Sequence, residues 1–180
     1  MNEELLEKLK YPVGKFSMPE KVDQNTITQW INDIEMLPQK LREAVKGLNE
    51  EQLNTPYRPG GWTVRQVIHH IGDSHMNSYI RFKLALTEDN PTIKPYDQDK
   101  AAKLEEYNLL PIDDSLDFVE SLHKRLVILL RTLTEVDFEK TYFHQESKRN
   151  VSLKRNLGIY SWHSKHHVAH ITSLRERNNW

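Results

Sequence analysis

Trp162-His163-Ser164-Lys165-His166-His167-Val168-Ala169-His170 places four of the chain's nine histidines in one short segment. On an α-helix, positions 163, 167 and 170 fall on one side by the i, i+4, i+7 rule, and Tyr160, Ile171 and Leu174 share that side. The segment therefore reads as a core-facing helix whose apolar stripe is interrupted by imidazoles. A histidine in such a place is usually a hydrogen-bonded core group, and that plain reading stands beside a metal reading. The spacing of His163 and His167 favours metal: at i, i+4 their Cβ atoms lie about 5–6 Å apart on one surface, so both rings can reach one ion.

The rest of the composition narrows what such a site can be. A chain of 180 residues fits a single domain, 1–180, able to bury roughly 70% of its unfolded surface. Twenty-six acidic against twenty-five basic residues leave no bulk field to recruit nucleic acid or an anionic membrane. No apolar run approaches the ~18 residues of a spanning helix, and Met1-Asn2-Glu3-Glu4 lacks the basic start of a signal peptide, so the expected location is cytoplasmic. Cysteine is absent, which removes disulfides, thiolate nucleophiles, zinc fingers and Fe–S clusters together. Any metal site must use His, Asp, Glu or water.

Working outward, the periodicity predicts four long helices. Ile27, Trp30, Ile31, Ile34, Leu37, Leu41, Val45 and Leu48 step by three and four, giving a helix over Thr26–Leu48 that Pro38 should bend or briefly break near Leu37. A second helix follows Thr63 as N-cap and runs to about Thr87, with Val64, Val67, Ile68, Ile71, Phe82 and Leu86 on its stripe and His70 at the edge. A third, capped by Asp113 and Asp114, carries Leu116, Val119, Leu122, Leu126, Leu129, Leu130 and Leu133. The fourth begins near Lys154 and ends in Arg175-Glu176-Arg177, whose cations suit the helix dipole. Between helices two and three, Glu88–Ile112 reads as a long crossover with a short helical piece near Lys100–Tyr107. Residues 137–153 lose helical period and read as a small hairpin. Residues 1–24 form an N-terminal arm, extended from Tyr11-Pro12-Val13-Gly14-Lys15-Phe16 onward. The architecture expected is an all-α four-helix bundle.

A catalytic site built on His163 and His167 needs a further ligand from another helix and an open coordination position. His70 is the best third by its place on the stripe, with His69, a hundred degrees round the helix, as rival. The plain alternative is that His70 hydrogen-bonds in the core and the 163/167 pair is a polar patch. Asp73, one turn after His70, could accept a hydrogen bond from the ring nitrogen that faces away from metal, move protons, or simply be exposed. His75, His166 and His170 read as neighbours rather than ligands. Glu120-Ser121-Leu122-His123 matches the Glu-x-x-His element of di-iron bundles but occurs once, so His123 reads as structural. Lys148-Arg149 and Lys154-Arg155 read as a solvated basic loop. No phosphate loop, His-Glu-x-x-His or nucleophile elbow is found.

Gly60-Gly61-Trp62-Thr63-Val64-Arg65-Gln66-Val67-Ile68-His69-His70-Ile71-Gly72-Asp73-Ser74-His75, taken with Trp162–His170 and the arm Tyr11–Phe16, resembles the DinB-like superfamily, and within it the YfiT group of metal-dependent hydrolases. The likeness runs over most of the chain. It implies an up-down-down-up bundle, a divalent metal (zinc first, nickel second) and a cytoplasmic homodimer. It also implies the ligand set: the family's first metal histidine stands eight residues after the motif tryptophan, which is His70 and not His69. The other two occupy the ends of His-x-x-x-His, which are His163 and His167.

Three neutral imidazoles leave a divalent ion its full charge, so bound water is acidified toward pKa ~7 and becomes a nucleophile at neutral pH. That chemistry supports a hydrolase acting on a small-molecule ester, amide or similar carbon. Relatives in the superfamily resemble metal-dependent S-transferases, in which a low-molecular-weight thiol such as bacillithiol takes the place of water. A third reading is a non-catalytic binding module in which the ion only ties two helices together.

Overall fold

The computed structural model describes residues 2–180. Four long helices dominate it: α2 (Gln24–Val45), α4 (Val64–Thr87), α7 (Ile112–Thr132) and α9 (Leu153–Asn178). Shorter elements join them: α1 (Glu3–Lys10), α3 (Glu50–Leu53), β1 (Thr92–Ile93), α5 (Gln98–Ala101), α6 (Glu106–Leu109), α8 (Glu135–Glu139), β2 (Thr141–His144) and β3 (Arg149–Ser152).

Cross-helix contacts give the direction of every helix. On α4 and α7, His69 meets Ser115 and His75 meets His123, so the two run parallel. On α2 and α9, Gly158 lies against Trp30, Ser161 reaches Asp33 and Arg175 reaches the Ala44 carbonyl, again parallel. Between α4 and α9 the order reverses: His70 faces His163 and Asn156 bonds Ser78. The result is up-down-down-up, the expected architecture. Two parallel neighbours cannot be joined by a tight turn, which is the geometric reason for the long 88–111 crossover between α4 and α7.

The expected hairpin is present as β2 and β3, paired antiparallel from Thr141↔Ser152 to His144↔Arg149. Beyond that expectation, β1 from the crossover pairs parallel with β2, Thr92 opposite Phe143, so the two long connections brace each other. The crossover's helical piece is two separate turns, α5 and α6, rather than one helix over 100–107.

The acidic, leucine-bearing piece that opens the arm is helical, Asn2 capping α1 by accepting from the Leu5 amide at 2.8 Å, and the helix stops at Tyr11, where the extended arm is expected to begin. One expectation is corrected. Asp113 and Asp114 do not cap α7; Pro111 holds the cap position without a side-chain bond, and the two carboxylates sit in the first turn, where they complement the dipole. Of the bend or short break expected at Pro38, the break is absent: α2 is continuous from Gln24 to Val45, one helix as expected. Proline has no N–H to give to the Ile34 carbonyl one turn earlier, and that carbonyl is instead 2.7 Å from His123 Nδ1 across the bundle.

Thr63 caps α4 as expected, in a reciprocal capping box with Gln66. The core divides into two clusters. One gathers Ile34, Phe82, Leu126, Leu130, Leu153 and Leu157 near the strands. The other gathers Leu37, Leu41, Val67, Ile68, Val119 and Ile171 at the opposite end. Of the buried histidines, all but His123 of α7 lie on α4 and α9. No helix among the described residues is long and apolar enough to cross a membrane.

Candidate metal centre

His70 projects from the second turn of α4, and His163 and His167 from successive turns of α9. The antiparallel approach of the two helices brings one ring nitrogen of each within 4.8 Å of the others. His70 Nε2 and His163 Nε2 are 3.2 Å apart. Two ligands of a tetrahedral ion with bonds of about 2.0–2.1 Å stand about 3.3 Å from each other, so the pair is already set at ligand spacing. At most one proton fits between these nitrogens, and it is one that a cation displaces. No carboxylate joins the trio among the described residues, and three imidazoles suit a borderline divalent ion such as zinc or nickel.

Burial keeps all three rings neutral, which is the ligating state. His70 is pushed down to about 4, first by burial and then by the nearby His170. His163 and His167 are held well below the usual histidine value, again by burial first and by neighbouring imidazoles second.

The packing around the trio comes from the segments that bear the sequence motif. Gly60 adopts φ +65, a left-handed conformation that glycine tolerates without strain, and turns the chain into Trp62. At Gly61 a Cβ would sit 2.7 Å from the Arg58 side chain, so the turn has no room for one. The Trp62 ring then lies 4.6 Å from His70 and stacks at 6.4 Å on His167. From the N-terminal arm, Gly14 offers its carbonyl to Trp162 Nε1 at 2.9 Å, and Tyr11 packs on His166. A cavity of about 550 Å³ opens onto the trio between these segments, with Lys10, Arg58 and Asp99 as the charged groups on its wall.

The other candidates sort clearly. His69 points away from the trio toward α7, its Nδ1 2.7 Å from Ser115 Oγ. Asp73 is not the partner of His70: its Oδ2 accepts from the Tyr107 hydroxyl at 2.5 Å, in a separate pocket with His69 and Phe118. The His70 Nδ1 atom faces Tyr96 Oη at 3.3 Å instead. His166 stacks on Trp162 at 4.3 Å, and His170 stacks on Tyr57 at 3.8 Å; both stand beside the trio. His75, read as a neighbour, stands against the trio with Nε2 3.1 Å from His163 Nδ1, and His123, read as structural, meets His75 Nδ1 at 3.0 Å. The sequence carries no mark of Tyr96 or Tyr107, which arrive on the crossover.

Comparison with known proteins gives the family. The DinB superfamily model matches residues 33–171. A protein of Oceanobacillus iheyensis named "Putative metal-dependent hydrolase" is 56% identical over 171 residues, covering 95% of this chain and 98% of that one. One of the same description from Bacillus mycoides is 56% identical over 172 residues, covering 96% and 98%. A solved structure described as "YfiT from Bacillus subtilis is a probable metal-dependent hydrolase with an unusual four-helix bundle topology" matches with a TM-score of 0.93 at 46% identity, over 96% of this chain and 99% of that one. With a family match over most of its length and relatives above half identity, the chain belongs to the DinB superfamily.

Proposed function

We propose that this protein is a metal-dependent hydrolase in which His70, His163 and His167 hold one divalent ion, zinc first and nickel second, at the floor of the 550 Å³ cavity. The observation that carries the reading is three neutral imidazoles at ligand spacing beneath an open pocket, with no carboxylate among the described residues joining the set. A closed shell would favour a purely structural ion; an open one favours chemistry. When bound, an ion of this kind acidifies water and polarises an acyl oxygen.

The chain's own residues supply the rest. Trp62 covers His70 and His167 on one side and limits the approach of bulk water. Lys10 and Arg58 bring positive charge to the cavity wall and suit a small substrate with an anionic group. Tyr11 and Trp162 supply apolar walls for its remainder.

The test is turnover of a panel of small esters and amides by the zinc-loaded protein, with and without a low-molecular-weight thiol. Thiol-independent cleavage that is lost in His163→Ala together with bound zinc supports the hydrolase. Turnover of an epoxide or chloro-aromatic only when thiol is added would move the assignment to thiol transfer. Metal bound without any turnover across both panels would favour the binding module.

A further inference from the structure

The buried imidazoles around the trio are connected in a way that the metal reading alone does not require. Ile34 O is 2.7 Å from His123 Nδ1, His123 Nε2 is 3.0 Å from His75 Nδ1, and His75 Nε2 is 3.1 Å from His163 Nδ1. On the other side, Lys10 O is 3.1 Å from His170 Nε2, and His170 Nδ1 is 3.4 Å from His167 Nδ1. Each chain begins at a backbone carbonyl, which can only accept. A neutral imidazole carries one N–H and one bare nitrogen, so the anchor decides every ring that follows.

We propose that His75 and His123 are positioning residues for His163, and His170 for His167: two carbonyl-anchored imidazole chains fix the protons of both ligands on Nδ1 and leave each Nε2 bare for the ion. The first chain runs without freedom. Ile34 O accepts from His123 Nδ1–H, so His123 Nε2 is bare and accepts from His75 Nδ1–H. His75 Nε2 is then bare and accepts from His163 Nδ1–H, which leaves His163 Nε2 with its lone pair toward His70 Nε2. The second chain does the same in one ring: Lys10 O accepts from His170 Nε2–H, and His170 Nδ1 accepts from His167 Nδ1–H. His75, His123 and His170 are at most 3 % exposed, where a charged imidazole with no counter-ion is costly, so each ring has one N–H and one bare nitrogen.

The anchor of the longer chain has its own cause. In an uninterrupted helix the amide of residue 38 would donate to Ile34 O; Pro38 has no amide hydrogen, so the carbonyl is free to accept from another helix. The chain thus couples a proline in α2, through α7 and α4, to a ligand on α9. It also gives the group His166, His167 and His170, whose ring nitrogens likewise lie within 4.8 Å, a role other than a second ion site: His167 Nδ1 carries a proton and is not a donor to metal. A hydrogen-bond acceptor on the nitrogen that faces away from the ion orients a metal-bound histidine, and removal of such a partner typically costs 10–100-fold in affinity.

This inference rests on the ligand set proposed above, and the test separates the two. Long-range ¹H–¹⁵N correlation spectra of the histidine-labelled full-length protein distinguish the two ring tautomers, before and after titration with zinc chloride. The expected result without zinc is an Nδ1–H proton on His123, His75, His163 and His167, with His170 carrying Nε2–H. An Nε2–H proton on His163 or on His123 would overturn the first chain. A zinc stoichiometry of two per chain would overturn the second. If the tautomers are as stated but zinc binds without moving the His163 Nε2 resonance, the ligand set fails and the chains stand.

Variants extend the test beyond structure. His123→Leu removes the acceptor for His75 Nδ1–H, so His75 is expected to switch tautomer and His163 to follow, with zinc affinity falling 10–100-fold. His123→Gln offers an amide oxygen near the Nε2 position and should restore the His163 tautomer and most of the affinity. Leu126→Ala, a core change on the same helix away from the chain, should lower stability and leave zinc affinity within twofold. Equal affinity losses in His123→Leu, His123→Gln and Leu126→Ala would show that His123 acts through packing alone.

Discussion

Acid should unfold the metal-free protein through its buried histidines, and the size of the effect follows from burial. His123 is buried against the Ile34 carbonyl, and desolvation holds its folded-state pKa at about 4 even though that hydrogen bond pulls the other way. His70 is held at about 4 by burial and then by His170. In the unfolded chain both titrate near 6.5. The folded rings stay neutral while the unfolded ones take up protons, so between pH 6.5 and 4 the unfolded state binds more protons and stability rises with pH. The stabilisation is complete above about 6.5 and is lost as pH falls toward 4. One pH unit is worth about 1.4 kcal/mol per group, so between pH 7.5 and 5 each ring removes about 2 kcal/mol and the two together about 4 kcal/mol. That is a large share of the roughly 5–15 kcal/mol that holds a domain folded.

The assay is urea unfolding of the zinc-free protein at pH 7.5 and pH 5.0, followed by circular dichroism. The wild type should lose about 4 kcal/mol or more across that interval, since His75, His163 and His167 are displaced in the same direction. His123→Leu should be less sensitive to pH by about 2 kcal/mol, the share of one group. A wild-type midpoint that does not move between the two pH values, or one that moves equally in His123→Leu, would refute the claim that burial holds these rings neutral.

Saturating zinc should stabilise only the folded chain, by about 2.7 kcal/mol at a hundred times its dissociation constant; melting curves with and without a chelator should show the shift, and His167→Ala should not. Gly158→Val should cost about 1–3 kcal/mol in urea unfolding, because even a Cβ there would stand 3.0 Å from the buried Trp30 ring where α2 and α9 meet. Phe82→Ala removes a fully buried ring from the strand-side core and should cost about 3–5 kcal/mol by the same measurement. Asp33→Ala deletes the acceptor of Ser161 Oγ at 2.6 Å and Lys165 Nζ at 2.9 Å, and should lower stability by about 1–3 kcal/mol, with less loss in Asp33→Asn.

The long helices were legible because their apolar positions repeat with helical period and their ends carry local chemistry. Helix α4 shows this best: Thr63 and Gln66 mark its start within a four-residue window, and the stripe carries it to Thr87. The N-terminus of α7 misled because Asp113 and Asp114 suit either a cap or a first turn, and Pro111 just before them fills the cap position without a side-chain bond. Helix α1 buries no residue, so its start rests on the Asn2 cap and its own charge pattern rather than on a core stripe. Strand β1 is two residues long and exists only because β2 lies beside it. Such an element has no period to detect.

At the site, the limit was direction rather than residue type. Stripe position and family resemblance separated His70 from His69, and the α7 side of α4 is where His69 points. The spacing of Asp73 from His70 was equally compatible with a hydrogen bond between them, yet the hydroxyls of Tyr107 and Tyr96, both from the crossover, take those partners. Pro38 and His123 make the same point from the other side. Read separately, one is a helix breaker inside an amphipathic helix and the other a lone polar group on a leucine-rich face. In the bundle each answers the other: the proline strands a carbonyl in the core, where an unpaired acceptor costs about 1–3 kcal/mol, and the histidine brings a donor to it at 2.7 Å. Neither anomaly could be resolved alone, because the pairing depends on α2 and α7 running antiparallel, with Arg42 near Asp117 and Glu35 near Arg131. That alignment is a property of the topology, so a local reading sees a helix breaker and a lone polar group where the fold makes one hydrogen bond.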